Sequence, residues 1–324
     1  MVAAGPDGGG ARDAWGEFWR VTDEAAAHAA GGAQEGALRR FWRESLGDRL
    51  ARGRVLDLAC GNGAVSGVVS DLCRDAGLPL PSLVGADGAA TAAMSYRSRF
   101  AGGCVVVADS RRLPFPDGAF ALVASQFGIE YGGVAAVGEA ARLVASGGRL
   151  AAVLHLRGGA IHRECEASLA AMLRLQASRA LPAAREVFRR AAAVARGHGS
   201  RGEFRRADER LAAAMAQVEA ILRESGAGVA GGAVLRLHED LAHLRGRLAA
   251  HDPGEVSRWV DAMEGEVEAY RARMAAMLAV ALDDAGVREA TSLVSSKGLA
   301  TRRCEALLTG PGEPGAWALV CDRP

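Results

Sequence analysis

Between Arg54 and Leu156, short apolar runs alternate with stretches of helical character, and that alternation restricts the chain more than any other feature. Continuous apolar strands separated by helix-length segments belong to a parallel sheet with helices on both faces. Strands are predicted at 54–59, 82–87, 104–109, 119–125 and 148–156, with crossover helices near 63–76, 89–100 and 134–145.

The flanks read differently. Residues 1–11 are rich in Gly and Ala and read as a mobile tail. Helices near 12–30 and 34–51 carry Trp15, Phe18, Trp19, Phe41 and Trp42, so that three of the five tryptophans precede the first strand. Residues 12–51 therefore read as a helical cover, with the Trp15–Trp19 group either packed as core or serving as a lid. After His155 the strand signal gives way to Ala, Leu, Arg and Glu at helical spacing. Helices are expected at 161–179, 183–196, 203–224, 233–250 and 255–284, broken at Pro182, Gly197–Gly202, Gly226–Gly232 and Pro253. The division that follows is a core over 52–156, a helical insertion over 157–252 and a return to the core over 253–324. Segments 288–296 and 316–322 are candidates for a closing antiparallel pair, with 302–308 as the alternative first member.

Composition removes several function classes. The 324 residues carry a formal net charge of +1, so no global field favours nucleic acid. The basic residues are arginines except Lys297, in a chain also crowded with Ala and Gly, so arginine abundance is a weak phosphate signal. No apolar run has the length of a membrane span, and the N-terminus has no leader pattern, which predicts a soluble cytoplasmic protein with no membrane association. Cys60, Cys73, Cys104, Cys165, Cys304 and Cys321 show no metal-binding spacing, and no metal site is expected.

The first strand runs into Asp57-Leu58-Ala59-Cys60-Gly61-Asn62-Gly63-Ala64, a buried strand opening through a glycine turn into a helix. Gly61 and Gly63 allow positive φ and close approach of a ligand to the backbone. Asp87-Gly88 ends the second strand, and Asp109-Ser110 ends the third and continues into Leu113-Pro114-Phe115-Pro116-Asp117-Gly118. Gln126 ends the fourth, and Glu139, Arg142 and Gly147-Gly148-Arg149-Leu150 follow. In type and order these segments resemble the class I S-adenosylmethionine-dependent methyltransferases, over about residues 54–156. The resemblance implies a Rossmann-like α/β sheet, mostly parallel with a closing antiparallel strand. It also implies S-adenosylmethionine as cofactor, held by Asp57, Ala59, Gly61, Gly63, Asp87, Gly88, Asp109, Ser110 and Gln126. Ala59 stands where the family more often has glycine. The glycine turn and Asp87 alone also suit a dinucleotide site, so a nicotinamide-dependent oxidoreductase is the competing reading, and a non-catalytic cofactor-binding scaffold is another.

Methyl transfer is an in-line displacement that needs a base only when the acceptor must lose a proton. Ligands of open α/β sheets lie beyond the carboxyl ends of the strands, which makes His155, Glu130 and Tyr131 the catalytic candidates. His155 is the best-placed base, because an imidazole exchanges protons near neutrality; its bland role is shaping the wall. Glu130 can bind a cation, take a proton or cap a helix. Tyr131 reads as packing, and His162 and Arg163 as a solvated helix start. No Asn-Pro-Pro-Tyr sequence follows the fourth strand, which disfavours a nucleobase amino group as acceptor. The expected acceptor is an O or N atom of a small metabolite or a peptide. The insertion then serves as a cap or as a homodimer contact.

Overall fold

The structure is a computed structural model that describes Trp15, Gly16, Phe18, Trp19, residues 33–46 and residues 53–324. The predicted tail over 1–11, most of the predicted helix over 12–30 and residues 47–51 lie outside the described residues. The chain divides into two compact units, one holding the described residues up to Arg163 together with Ala276–Pro324, the other Glu164–Ala275.

The first unit is built on a seven-stranded sheet in the order β3-β2-β1-β4-β5-β7-β6. Its strands are β1 (Arg54–Leu58), β2 (Ser82–Asp87), β3 (Cys104–Val107), β4 (Phe120–Gln126), β5 (Val144–His155), β6 (Ala300–Gly310) and β7 (Glu313–Asp322). β1 to β5 are parallel, whereas β7 runs antiparallel to both β5 and β6. The chain steps outward from β1 through β2 to β3 and then returns to place β4 on the other side of β1. This reversal opens a crevice at the carboxyl ends of β1 and β4, the place where open α/β sheets hold ligands.

Alternation along each strand supplies a core to both faces. Leu56, Val84, Val123, Leu150 and Ala152 face one side, where helices Gly133–Leu143 and Asp284–Ser296 bring Val137, Ala140, Val287, Ala290 and Val294. Val55, Leu83, Leu122, Ala151 and Val153 face the other, covered by Phe41, Trp42 and Leu46 of helix Ala33–Leu46 and by Val65 and Val69 of helix Ala64–Asp75. Arg149 of β5 joins three elements: its guanidinium grips Asp322 of β7 in a two-point pair at 2.7 and 3.0 Å and donates to the Ser45 carbonyl at 2.7 Å.

Three expectations need correction. Residues 288–296 are not a strand but the body of helix Asp284–Ser296, capped by Asp283, whose carboxylate accepts from Gly286 N at 2.9 Å. Val287, Ala290 and Val294 bury one helical face, and that packing outweighs the strand tendency of the β-branched Thr291 and Val294. The closing hairpin is therefore β6 with β7, so the alternative first member, 302–308, is the correct one. Pro182 does not break a helix; it lies in the first turn of Ala180–Ala195, where a missing N–H costs nothing, and the break is at Arg179 with φ +60°. The last long helix ends at Val280 rather than 284.

The second unit is helical, with a core of Met172, Leu175, Phe188, Leu211, Val218 and Val260 among others. Its arginines pair across its own helices, Arg185 with Asp261 and Glu264 and Arg245 with Asp208, as expected of solvated faces.

Candidate active site

β1 ends in a tight left-handed path, with φ +54° at Ala59, +50° at Gly61 and +85° at Gly63, before helix Ala64–Asp75 begins. Asp57, inside the strand, is buried, and its Oδ2 accepts from Ser66 N at 2.9 Å and Ser66 Oγ at 2.8 Å. Ser66 Oγ also hydrogen-bonds Tyr96 OH at 2.8 Å. Burial pushes the Asp57 carboxyl up to about 7 against the opposing pull of the Ser66 hydrogen bonds, with a smaller upward push from Asp87.

Asp87 closes the turn from the neighbouring strand. Its Oδ2 accepts from Gly61 N at 2.9 Å and its Oδ1 from Ala89 N at 2.8 Å. Burial raises its pKa, opposed by the Ala89, Gly61 and Gly88 amides. Asp109, beyond β3, is more open and grips Arg111 through both oxygens, the shortest contact being 2.6 Å. The Leu-Pro-Phe turn that follows is braced from behind. Leu113 N donates to Glu139 Oε1 at 2.7 Å, while Arg142 donates to the Phe115 carbonyl at 2.9 Å and to Glu139 and Asp117. The Arg142 guanidinium holds the Glu139 carboxyl below its ordinary value. These motif residues thus act as a joint that fixes the loop carrying Asp109 and Ser110.

At the end of β4, Gln126 Oε1 accepts from the Trp42 indole at 2.7 Å, and Phe127 sits at φ +53°, a strained backbone for a bulky residue. The Phe127 ring lies 4.7 Å from the ring of His155, centroid to centroid, and Tyr131 stands edge-on to it at 6.1 Å. His155 Nδ1–H donates to Glu130 Oε1 at 2.6 Å, and the His155 amide donates to the same oxygen at 2.9 Å. The two side chains are 4% and 1% exposed, so this pair is removed from solvent competition.

These groups converge on one cavity of about 680 Å³. It is lined by Asp57, Ala59, Gly61, Asp87, Gly88, Asp109, Ser110, Gln126, Glu130, Tyr131 and His155. Gly63 is not brought there: a side chain at this position would run into the Phe100 ring, so its glycine answers to helix packing. His162 and Arg163 are also outside the lining, and Arg163 pairs with Glu313.

Residues that sequence reasoning missed complete the wall. Phe127, Arg157 and the segment from Ala276 to Leu282 line it, the last held beside His155 by Leu282 N donating to the His155 carbonyl at 2.9 Å. An apolar run at the end of a long helix carries no local signal for this placement. Trp15 and Trp19, offered by the sequence as core or as a lid, line it too, stacked on each other at 6.0 Å. A Cβ on Gly61 would meet the Trp19 ring at 2.5 Å, so this glycine is where an aromatic ring already approaches the backbone.

The donor set suits S-adenosylmethionine. Carboxylates from three successive strands and a glycine turn without Cβ bulk share a cavity within the usual range for small ligands, roughly 300–1,000 Å³. Asp57 and the turn would face the amino-acid end, Asp87 the ribose, and Asp109 with Ser110 the base.

A family model described as a methyltransferase domain matches residues 56–152. No curated protein matches the chain. Among solved structures, the YcgJ protein of Bacillus subtilis is 23% identical over 36% of this chain and 52% of its own, with a TM-score of 0.30. A protein of Pyrococcus horikoshii is 26% identical over 43% and 66%, with a TM-score of 0.32. An S-adenosylmethionine-dependent methyltransferase from Mesorhizobium loti is 20% identical over 39% and 55%, also with a TM-score of 0.32. The chain thus spans about half to two thirds of the length of these matched structures.

Proposed function

We propose that this chain, whose residues 56–152 match a family model described as a methyltransferase domain, is a class I S-adenosylmethionine-dependent methyltransferase that transfers a methyl group to an O or N atom of a small molecule or peptide held in the cavity above β4 and β5. The observation that carries the reading is the sharing of one cavity by Asp57, Gly61, Asp87 and Asp109 at one end and the buried His155–Glu130 pair at the other.

When bound, S-adenosylmethionine supplies a methyl group on a sulfonium: the acceptor lone pair forms the new bond as the carbon–sulfur bond breaks, and that electron pair stays on sulfur. The protein's own part is positioning and proton handling. Asp57, the Gly61 turn, Asp87 and Asp109 hold the cofactor. Phe127, Tyr131 and the 276–282 wall exclude water from the acceptor, which strengthens every polar contact there. His155 receives the acceptor proton, with Glu130 holding the ring and stabilising its positive charge.

Equilibrium titration with S-adenosylhomocysteine and with NADH tests the cofactor assignment. Binding of S-adenosylhomocysteine alone is the expected result; binding of NADH alone would replace the reading with an oxidoreductase. Cofactor binding without turnover over a broad panel of acceptors would instead favour a scaffold.

A further inference from the structure

Arg157 lines the same cavity as His155 and follows it by two residues on an extended run. The backbone there is held by a neighbour: the Arg157 amide donates to the Leu282 carbonyl at 2.9 Å, Leu282 N donates to the His155 carbonyl at 2.9 Å, and Leu156 and Leu282 form a parallel bridge. Alternation along an extended chain sets residues two apart on one face, about 6–7 Å from each other along the backbone. The side chain is clamped as well. Its Nε–H and Nη2–H both donate to the Ala281 carbonyl, at 3.2 and 3.0 Å. A guanidinium carries five N–H donors in a rigid planar fork. Ala281 takes the side edge of that fork, and no described residue engages the end edge, where Nη1 and Nη2 present two parallel N–H groups. The other guanidinium of the described lining, Arg111, is gripped by both oxygens of Asp109. Asp283 feels the Arg157 charge, but its carboxylate caps the helix Asp284–Ser296 by accepting from Gly286 N at 2.9 Å, and that amide is the main cause of its lowered pKa.

From this geometry we infer that the acceptor carries a carboxylate, which Arg157 receives end-on through Nη1–H and Nη2–H, while the atom to be methylated lies nearer His155. The inference rests on the methyltransferase reading and deepens it. Two parallel N–H groups match the two oxygens of a carboxylate. The clamp on Ala281 sets the plane of the fork beforehand, so little side-chain freedom is lost on binding. One guanidinium with Asp283 close by balances a single negative charge, which favours a carboxylate over a phosphate dianion. Glu130, held at His155, is a like charge that disfavours the reverse orientation. Arg157 follows β5, and β4 separates β5 from β1, so the guanidinium belongs to the acceptor half of the cavity rather than to the glycine turn after β1.

Calorimetric titration of the S-adenosylhomocysteine complex at about pH 7.5, where a carboxylic acid is ionised, tests this. The probes share a phenyl ring, chosen because Phe127 and Tyr131 line the same cavity: phenylacetate, phenylacetamide, phenethylamine and benzyl phosphate. Phenylacetate is expected to bind at least about fivefold more tightly than the amide or the amine, the scale of a charge-assisted two-point contact in a partly open site. Arg157→Met is expected to erase that preference while S-adenosylhomocysteine affinity and Tm stay near normal. Should that variant fold poorly, Arg157→Gln, which is also uncharged but can still donate to Ala281, carries the same comparison. Equal or tighter binding of the amide or amine, tighter binding of benzyl phosphate, no binding of phenylacetate, or an unchanged preference in the folded variant overturns the carboxylate assignment and leaves the methyltransferase reading standing. Weakened S-adenosylhomocysteine binding in the folded variant also overturns it, since Arg157 would then hold the cofactor's own carboxylate. Failure of S-adenosylhomocysteine to bind the unmodified protein overturns the methyltransferase reading and the acceptor assignment with it.

Discussion

Glu130 Oε1 receives both the backbone amide and the ring Nδ1–H of His155, at 2.9 and 2.6 Å. One carboxylate oxygen thus fixes the end of β5 and the orientation of its terminal imidazole. If His155 takes the acceptor proton, His155→Ala lowers turnover by about 10²- to 10⁴-fold, leaves S-adenosylhomocysteine affinity near normal and abolishes the acidic limb of the rate profile. His155→Asn keeps a hydrogen-bonding group without a titrating one, so near-normal turnover in that variant would reduce the role to positioning. Glu130→Gln is expected to lower kcat more than it raises KM and to shift the acidic limb, because it removes the charge opposite the imidazole.

Asp57 gives a pH dependence with a defined sign. Its folded value of about 7 lies above the ordinary 3.8, so the folded state holds the proton more tightly than the unfolded chain. Its contribution to stability is greatest below about pH 4 and declines as pH rises to about 7. Compared with Asp57→Asn, the unmodified protein should lose Tm across that window, and parallel pH profiles would refute the effect. A cofactor ammonium near this carboxyl would lower its pKa, so binding of S-adenosylhomocysteine at about pH 6.5 should release protons, measured by calorimetry in buffers of different ionisation enthalpy.

Ala59 holds φ +54° and its methyl group opposes Gly128, in a region that costs an L-residue about 1–2 kcal/mol. Ala59→Gly removes that strain but adds freedom to the unfolded chain worth roughly 0.4–1 kcal/mol. A net stabilisation of up to about 1.6 kcal/mol is expected in denaturant unfolding. A clear loss of stability would show that the Ala59 methyl packs favourably.

Trp19 covers Gly61, so a ligand approaching the turn must displace its ring. S-adenosylhomocysteine should therefore change tryptophan emission in the unmodified protein, and the change should be smaller in Trp19→Phe. Gly61→Val adds both a clash with that ring and a branched side chain at φ +50°, and should abolish measurable cofactor affinity. A folded Gly61→Val protein with unchanged affinity would remove the turn from the cofactor site.

Asp87→Ala takes away the acceptor for Gly61 N and Ala89 N as well as the carboxylate placed for ribose. Loss of cofactor hydrogen bonds worth about 1–3 kcal/mol predicts roughly 5- to 150-fold weaker binding. Asp87→Asn keeps part of the acceptor geometry and should fall between the two, which separates loop collapse from loss of the ribose contact.

The sequence by itself determined the parallel core, because strands such as Leu83–Ala86 and Phe120–Ala124 are apolar runs whose identity depends only on neighbours in the chain. It also determined that Asp57, Asp87 and Asp109 lie at or near the carboxyl ends of their strands, since parallel strands bring equivalent ends to one edge. It did not determine the state of residues 288–296, where Thr and Val are compatible with strand and only burial of Val287, Ala290 and Val294 on one face selects the helix. Nor did it distinguish Gly61, which faces the cavity, from Gly63, which packs beneath Phe100. The pairing of His155 with Glu130, the grip of Trp42 on Gln126, the bracing of Leu113 by Glu139 and the placement of Met277 and Val280 in the wall belong to tertiary structure alone. Such contacts join residues far apart in the chain, and local periodicity records which face an element buries but not which distant side chain it meets there.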